Sequence, residues 1–190
     1  MFHLTRPDPN EIESELVRAG ERGFNYDAIG ATRGDCEIPE GFVVDRWGGE
    51  LGRGARVFEA ARRAIESFRM YPPGWTEVIA PDGVAPGSVF GALFRHFGFW
   101  SLNPCRIIDV VSGPERHGFT LGTLWGHAER GEERFETSWN REHDVVRYDV
   151  VAFSRTAHAI AKIGAPIARR LQLRFQRESV AVMRLITAPG

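Results

Sequence analysis

The sequence predicts an α+β fold in which a curved antiparallel sheet of about seven strands wraps around a long C-terminal helix. Three observations carry that expectation. Residues 118–153 read as three consecutive strands, because aromatic and β-branched residues alternate with charged ones between turn-formers. From about Ala165 to Ile186 apolar residues recur at helical spacing. Upstream of both, strand-like runs follow one another with little but turns between them.

The first element is a helix whose start is written at Asp8, Pro9 and Glu11: an N-cap acid, proline in the first helical position, and a carboxylate three residues after the cap. Gly20 is expected to stop it. The narrow apolar stripe of Ile12, Leu16 and Ala19 places this helix on the outside of the body. Residues 23–42, rich in glycine and small polar side chains, read as an irregular loop in which Asn25 and Tyr26 either satisfy backbone groups in a turn or stand at a pocket rim. Phe42 to Trp47 forms a short strand, and a glycine-rich link leads into a helix over about Ala55 to Met70, with Val57, Ala61, Ala64, Ile65 and Phe68 on its buried face. Those glycines do not fit the spacing of a dinucleotide fingerprint. Trp75 to Ala80, Ser88 to Phe97 and Cys105 to Val111 are further strands.

Cross-strand pairing sets the faces of the next three. A loop over Ala128 to Gly131 puts His127 opposite Glu132, Trp125 opposite Arg134 and Thr123 opposite Glu136. Pairing Trp139 with Asp144 then brings Glu136 against Arg147 and Arg134 against Asp149, two opposite-charge pairs on one wet face. The dry face carries Thr120, Leu124, Phe135, Thr137, Trp139, Val146, Tyr148, Val150, Ala152 and a single acid, Glu133. Gly122 and Gly126 on that face permit curvature or leave side-chain-sized space. In the last helix Pro166 is tolerated in the first turn, Ile167, Leu171, Phe175, Val182, Leu185 and Ile186 share one side, and Arg170, Arg174, Arg177 and Arg184 the other.

A meander closing on an amphipathic terminal helix is the helix-grip arrangement, whose rival is a two-layer sandwich with a filled core. Length and even composition predict one domain over residues 1–190, with a helical extension at 1–22 and the helix-grip body at 40–190.

Several function classes are disfavoured. A net charge of −1 gives no whole-protein attraction to nucleic acid or to anionic membranes, and the arginine stripe lacks the interleaved aromatics that stack bases. Cys36 and Cys105 form neither a disulfide framework nor a zinc knuckle, and His96, His117, His127, His143 and His158 show no metal-ligand spacing. Neither a cofactor motif nor a nucleophile elbow is present. With no apolar run long enough for a bilayer and no secretory leader pattern, stable membrane insertion is not expected and a cytoplasmic location is. Nothing in the sequence fixes the oligomeric state.

The blocks FNYDAIGATRG at 24–34, PEGFVVD at 39–45, LGRGARVFEAARRAI at 51–65, GFTLGTLWGHAERGEERF at 118–135 and AFSRTAHAIAKIGAPIARRLQLRF at 152–175 resemble domain-of-unknown-function family nineteen-ninety, found in bacteria and plants. The resemblance implies a helix-grip fold of the START and Bet v 1 kind. Asn25, Tyr26, His127, Glu132, Glu133, Arg169 and Gln172 match the family signature, whereas Leu121 and Trp125 stand where it has an aromatic and often a proline. The resemblance implies no reaction.

Glu133 is the residue with chemical promise. A carboxylate taken into low dielectric must pair, accept several hydrogen bonds or become protonated, so it marks either a structural ion pair or a functional group. His127 with Glu132 is either an imidazole oriented by an acid or an exposed pair worth little. Two functions follow. In the first, a cavity between sheet and helix binds a small hydrophobic molecule or lipid through Tyr26, Glu133, Phe135, Trp139, Tyr148, Arg169 and Gln172. In the alternative, the same cavity houses an enzyme with Glu133 as its catalytic acid/base and Tyr26 or Arg169 steadying charge.

Overall fold

A computed structural model of the protein describes residues 2–34, 36–96, 98–156 and 161–188, with the side chains of residues 2 and 161–165 outside that description. The chain runs β1 (Phe2–His3), α1 (Pro9–Arg22), a 3-10 turn at Ala31–Arg33, β2 (Val43–Arg53), α2 (Gly54–Glu66), β3 (Thr76–Ile79), β4 (Val89–His96), β5 (Phe99–Ser112), β6 (Arg116–Thr123), β7 (Glu129–Asn140), β8 (Val145–Thr156) and α3 (Ala161–Thr187). Seven strands form one antiparallel sheet in the order β2-β8-β7-β6-β5-β4-β3, and the short β1 pairs along β5 at Ser101 and Trp100. Every neighbour is also next in sequence except β2, which adds to β8. The meander is therefore built from local hairpins.

On the concave face α2 and the later part of α3 fill the space above the sheet. Phe58, Ala61, Ala64 and Ile65 of α2 pack with Phe119, Phe135, Val146, Tyr148 and Val150 of the strands and with Phe175, Val180 and Met183 of α3. Burying each large aromatic or aliphatic side chain there contributes roughly 1.5 to 3 kcal/mol. On the convex face Ile12 and Leu16 of α1 cover Leu93 and Leu102.

Helix α1 is capped by Asp8, whose carboxylate accepts the Glu11 N–H at 2.9 Å. It continues through Gly20 and ends at Gly23, which adopts φ 78°. Gly20 is a packing residue instead, its carbonyl accepting from the Arg106 guanidinium at 2.6 Å. Strand β4 was expected to reach Phe97, which lies outside the described residues, and β5 begins earlier than composition implied, at Phe99.

The second hairpin pairs Trp139 with Val146 and Glu136 with Asp149, two residues from the expected alignment, so its faces are those expected. Arg147 and Asp149 stand in solvent and bind each other at 2.9 Å, while Glu136 takes Arg116 at 2.7 Å. The first hairpin differs. Glu136 faces Gly118 rather than Thr123, an odd displacement that inverts β6, so that Phe119 and Leu121 point inward and Thr120 and Gly122 outward. The cause is the connection, which is longer than a four-residue hairpin loop. Pairing stops at Gly122–Glu132, and the Leu124 and Trp125 N–H groups bind the carbonyls of Pro104 and Gly23 instead.

Helix α3 is also rotated from its expected face. Phe175, Ser179, Val180, Met183 and Thr187 are buried, whereas Leu185 is 77% exposed and Ile167 46%. The Ser179 and Tyr148 hydroxyls share a hydrogen bond at 2.9 Å, and the Thr187 hydroxyl bonds the Met183 carbonyl at 2.9 Å. Small polar residues satisfied in this way count against a face in any apolar tally, although they belong to it.

Candidate functional site

Asp45, Ala152, Glu133, Leu121 and Ile107 stand side by side in one row across the concave face, on β2, β8, β7, β6 and β5. One step along, Val43, Ser154 and Gly131 make the next row. In the opposite direction the row contains Trp47, Val150, Phe135 and Phe119, which are bulky and packed. Ala152 and Gly131 are too small to reach α3 and Ser154 reaches it only through its hydroxyl, which takes the Gln172 amide at 3.3 Å, so a cavity of about 240 Å³ opens above them. Ala168, Leu171, Gln172, Phe175 and Gln176 of α3 roof it.

One wall is aromatic. Tyr71, Trp75, Phe94 and Phe175 contact one another with ring centroids 5.2 to 6.5 Å apart, and all four line the cavity. The Trp75 indole N–H donates to Glu178 at 2.6 Å, which leaves no polar atom of that ring unmatched.

The other end is acidic. Asp45, Glu129 and Glu133 all line it. Asp45 is clamped by Arg169 at 2.8 Å, and Glu129 accepts from the Gln172 amide at 2.6 Å. Burial raises the pKa of Glu129, opposed by its hydrogen bonds to Gln172 and Ser154. Among the described residues Glu133 has no side-chain hydrogen bond; the surface it retains opens into the cavity it lines. Burial first, and then the charges of Glu129 and Asp45, push its carboxyl up to about 8. It is therefore mostly protonated at neutral pH. His127 also lines the cavity, its Nδ1 held between the Glu129 N–H at 2.9 Å and the Glu129 carbonyl at 3.1 Å. Burial depresses its pKa to about 3, so the ring is neutral. The buried Cys105 thiol is pushed up by desolvation and is not a nucleophile.

Of the side chains expected at a ligand site, Glu133 and Gln172 line this cavity. Arg169 acts one contact away through Asp45. Phe135 and Tyr148 are fully buried in the packed half instead, and Trp139 stacks on Phe58 at 6.0 Å with its N–H on Asp144. Tyr26 lies on the convex face, across the sheet, because the inverted β6 turns Gly122 outward and the Tyr26 and Phe24 rings occupy the space a side chain would take there.

The pairing of His127 with Glu132 is likewise corrected. Glu132 is only 2% exposed and accepts from the Tyr26 hydroxyl at 3.1 Å, the Gly30 N–H at 2.7 Å, the Thr32 N–H at 2.9 Å and the Thr32 hydroxyl. It holds the loop that carries them. Asn25 has the turn role, donating to the Glu129 carbonyl at 2.9 Å and accepting from the Thr123 hydroxyl at 2.6 Å. Sequence reasoning missed Asp45 and Glu129. Extending strand alternation from Glu133 through Gly131 reaches Glu129, and from Trp47 it reaches Asp45, so the two-residue period contained both. Among the described residues no group of side chains is arranged to hold a metal ion, and His158 lies outside them.

The fold has solved counterparts. A hypothetical protein from Helicobacter pylori superposes with a TM-score of 0.54 at 13% identity, covering 87% of this chain and 96% of that one. A Thalictrum norcoclaurine synthase point mutant in complex with a transition-state analogue gives 0.50 at 11% identity, over 79% and 97%. At such identities the likeness concerns the fold, which is helix-grip. A UPF0548 protein of Deinococcus radiodurans is 31% identical over 100% of both chains, and one of Dictyostelium discoideum 28% identical over 94% of this chain and 92% of its own. The family described as Domain of unknown function (DUF1990) matches residues 25–182, and with a full-length relative above 30% identity it is to this family that the chain belongs.

Proposed function

We propose that the protein binds a small, largely apolar molecule in the cavity between sheet and α3, with the aromatic wall holding its body and the Glu133 carboxyl orienting it. The observation that carries this reading is Glu133 itself, a half-buried acid held in a desolvated setting without a hydrogen-bond partner among the described residues, facing open space. A buried polar group left unmatched costs roughly 1 to 3 kcal/mol, which an occupant that meets it recovers. A volume of about 240 Å³ lies near the small end for ligand pockets, so the occupant is small. The raised carboxyl also supports acid/base chemistry on an occupant, a narrower reading that requires binding first.

Ala152 is the place to test it, since it lies on the cavity floor between Asp45 and Glu133. Ala152→Phe fills the space at an overpacking cost of about 1 to 3 kcal/mol. Native mass spectrometry of protein purified from its own host is expected to show a retained small molecule on the wild type and none on the variant. Equal retention by both would put the molecule elsewhere and sink the proposal.

A further inference from the structure

We infer that the cavity selects an amine: a small apolar molecule whose ammonium group sits among Asp45, Glu129 and Glu133 and whose body lies against Tyr71, Trp75, Phe94 and Phe175. This inference rests on the cavity being a ligand site and names the class of ligand.

The first argument is the balance of charge. Three carboxyl groups face the polar end, and among the described residues the guanidinium that reaches them, Arg169, is already committed to Asp45 at 2.8 Å. His127 adds no positive charge, because burial keeps its imidazole neutral. With Asp45 matched by Arg169, a cation is attracted, and an anion repelled, by Glu129 and by Glu133 once its proton has left.

The second is hydrogen-bonding capacity. Among the described residues no group donates a hydrogen bond to the Glu133 side chain, and Glu129 is offered an N–H by Gln172 while Asp45 is offered them by Arg169. An ammonium carries three donors and no acceptor, which matches a group of acceptors short of donors. An alcohol supplies a single donor and no charge.

Proton linkage gives this selection a signature. Facing Glu133 are Asp45 from β2, Glu129 from β7, Tyr148 from β8, Cys105 from β5 and Tyr71 from the turn after α2, with His96 of β4 and His127 lining the same cavity and Arg169 of α3 acting through Asp45. Burial raises Tyr71, Tyr148 and Cys105 and lowers both histidines, so these groups stay neutral around neutral pH. Of the two raised acids, Glu129 and Glu133, it is Glu133, pushed up to about 8, that changes charge between neutral pH and about 8. A cation entering beside it favours the carboxylate and expels the proton. Affinity for an amine therefore climbs as pH rises towards about 8 and levels off above it, by up to about tenfold per pH unit.

Benzylamine, benzyl alcohol and benzoate share one size and shape and differ in the charge of the head group. Titrated into the full chain and followed by calorimetry, benzylamine is expected to bind about tenfold or more tighter than benzyl alcohol at about pH 8, with benzoate weakest. Between about pH 6 and about pH 8 its binding should strengthen and release protons to the buffer, while that of benzyl alcohol stays level. In Glu133→Gln the amine-to-alcohol ratio should collapse towards unity and the proton release should vanish. Alcohol binding as tightly as amine, or amine affinity flat with pH, overturns the selection and leaves the cavity reading standing. Binding of none of the three overturns both.

Discussion

Glu132 and Glu133 are adjacent in sequence, and the two-residue period of a strand sends them to opposite faces of one sheet. Glu132 meets four donors from Tyr26, Gly30 and Thr32, whereas Glu133 meets none among the described residues. The chain itself supplies the hydrogen bonds of Glu132, whereas those of Glu133 are left, in the reading proposed above, to an occupant. Glu132→Ala removes the acceptor from all four donors at once while the loop remains buried. It should lower stability by about 2 to 4 kcal/mol, because the orphaned groups lose their partner without gaining water. Urea unfolding measures this directly, and a loss under about 0.5 kcal/mol would mean that the loop is held by its aromatic contacts alone. Those contacts exist, since Tyr26 meets Phe24 and Phe153 edge-on at 5.7 Å.

Elements were legible in the sequence where the signal was local. The capped start of α1, the buried stripe of α2 and the faces of β7 and β8 follow from residue types a few positions apart. What was not legible depended on partners distant in sequence. The inversion of β6 came from a loop whose amides bind Pro104 and Gly23, and no pairing rule within residues 118–136 contains those carbonyls. The burial of Glu132 came from a loop a hundred residues upstream. Glycines show the same divide. Gly20 in α1 looked like a stop and is a helical packing site, where an added Cβ would lie 3.5 Å from Val89 and 3.6 Å from Arg106, ordinary contact distances. Gly122 in β6 looked like curvature or space on the dry face, yet an added Cβ would stand 2.4 Å from the Tyr26 hydroxyl on the convex side. That hydroxyl is fixed by Glu132 and has nowhere to go. Gly20→Ala should therefore raise stability by about 0.5 to 1 kcal/mol through helix propensity, and Gly122→Ala should lower it by several times as much through overpacking. Thermal melts of the pair give the comparison, and the same sign for both would contradict the packing described.

Across the whole molecule the concave face is divided into a packed half and an open half, and α3 spans both. Its later turns bury Ser179, Val180, Met183 and Thr187 against the sheet and α2, with the Tyr148 hydroxyl locked to Ser179. Its earlier turns, from Ala168 to Gln176, roof a cavity and so, Leu171 and Phe175 apart, have fewer packing atoms beneath them. A lining with no atoms opposite forfeits its dispersion contacts, and segments with fewer buried contacts open at lower free energy. Backbone amides in the earlier turns should therefore exchange with solvent about tenfold or more faster than those of residues 179–187, although both stretches belong to one continuous helix. Ala152→Phe supplies the missing atoms, and in that variant the earlier turns should slow towards the rate of the later ones. Hydrogen exchange read by mass spectrometry on peptides from the two stretches distinguishes the cases. Protection that is even along α3, or a gradient that the phenylalanine leaves untouched, would mean that the helix is held by its own hydrogen bonds and not by what lies under it. The open half would then be a rigid mould instead of a region that an occupant firms up on binding.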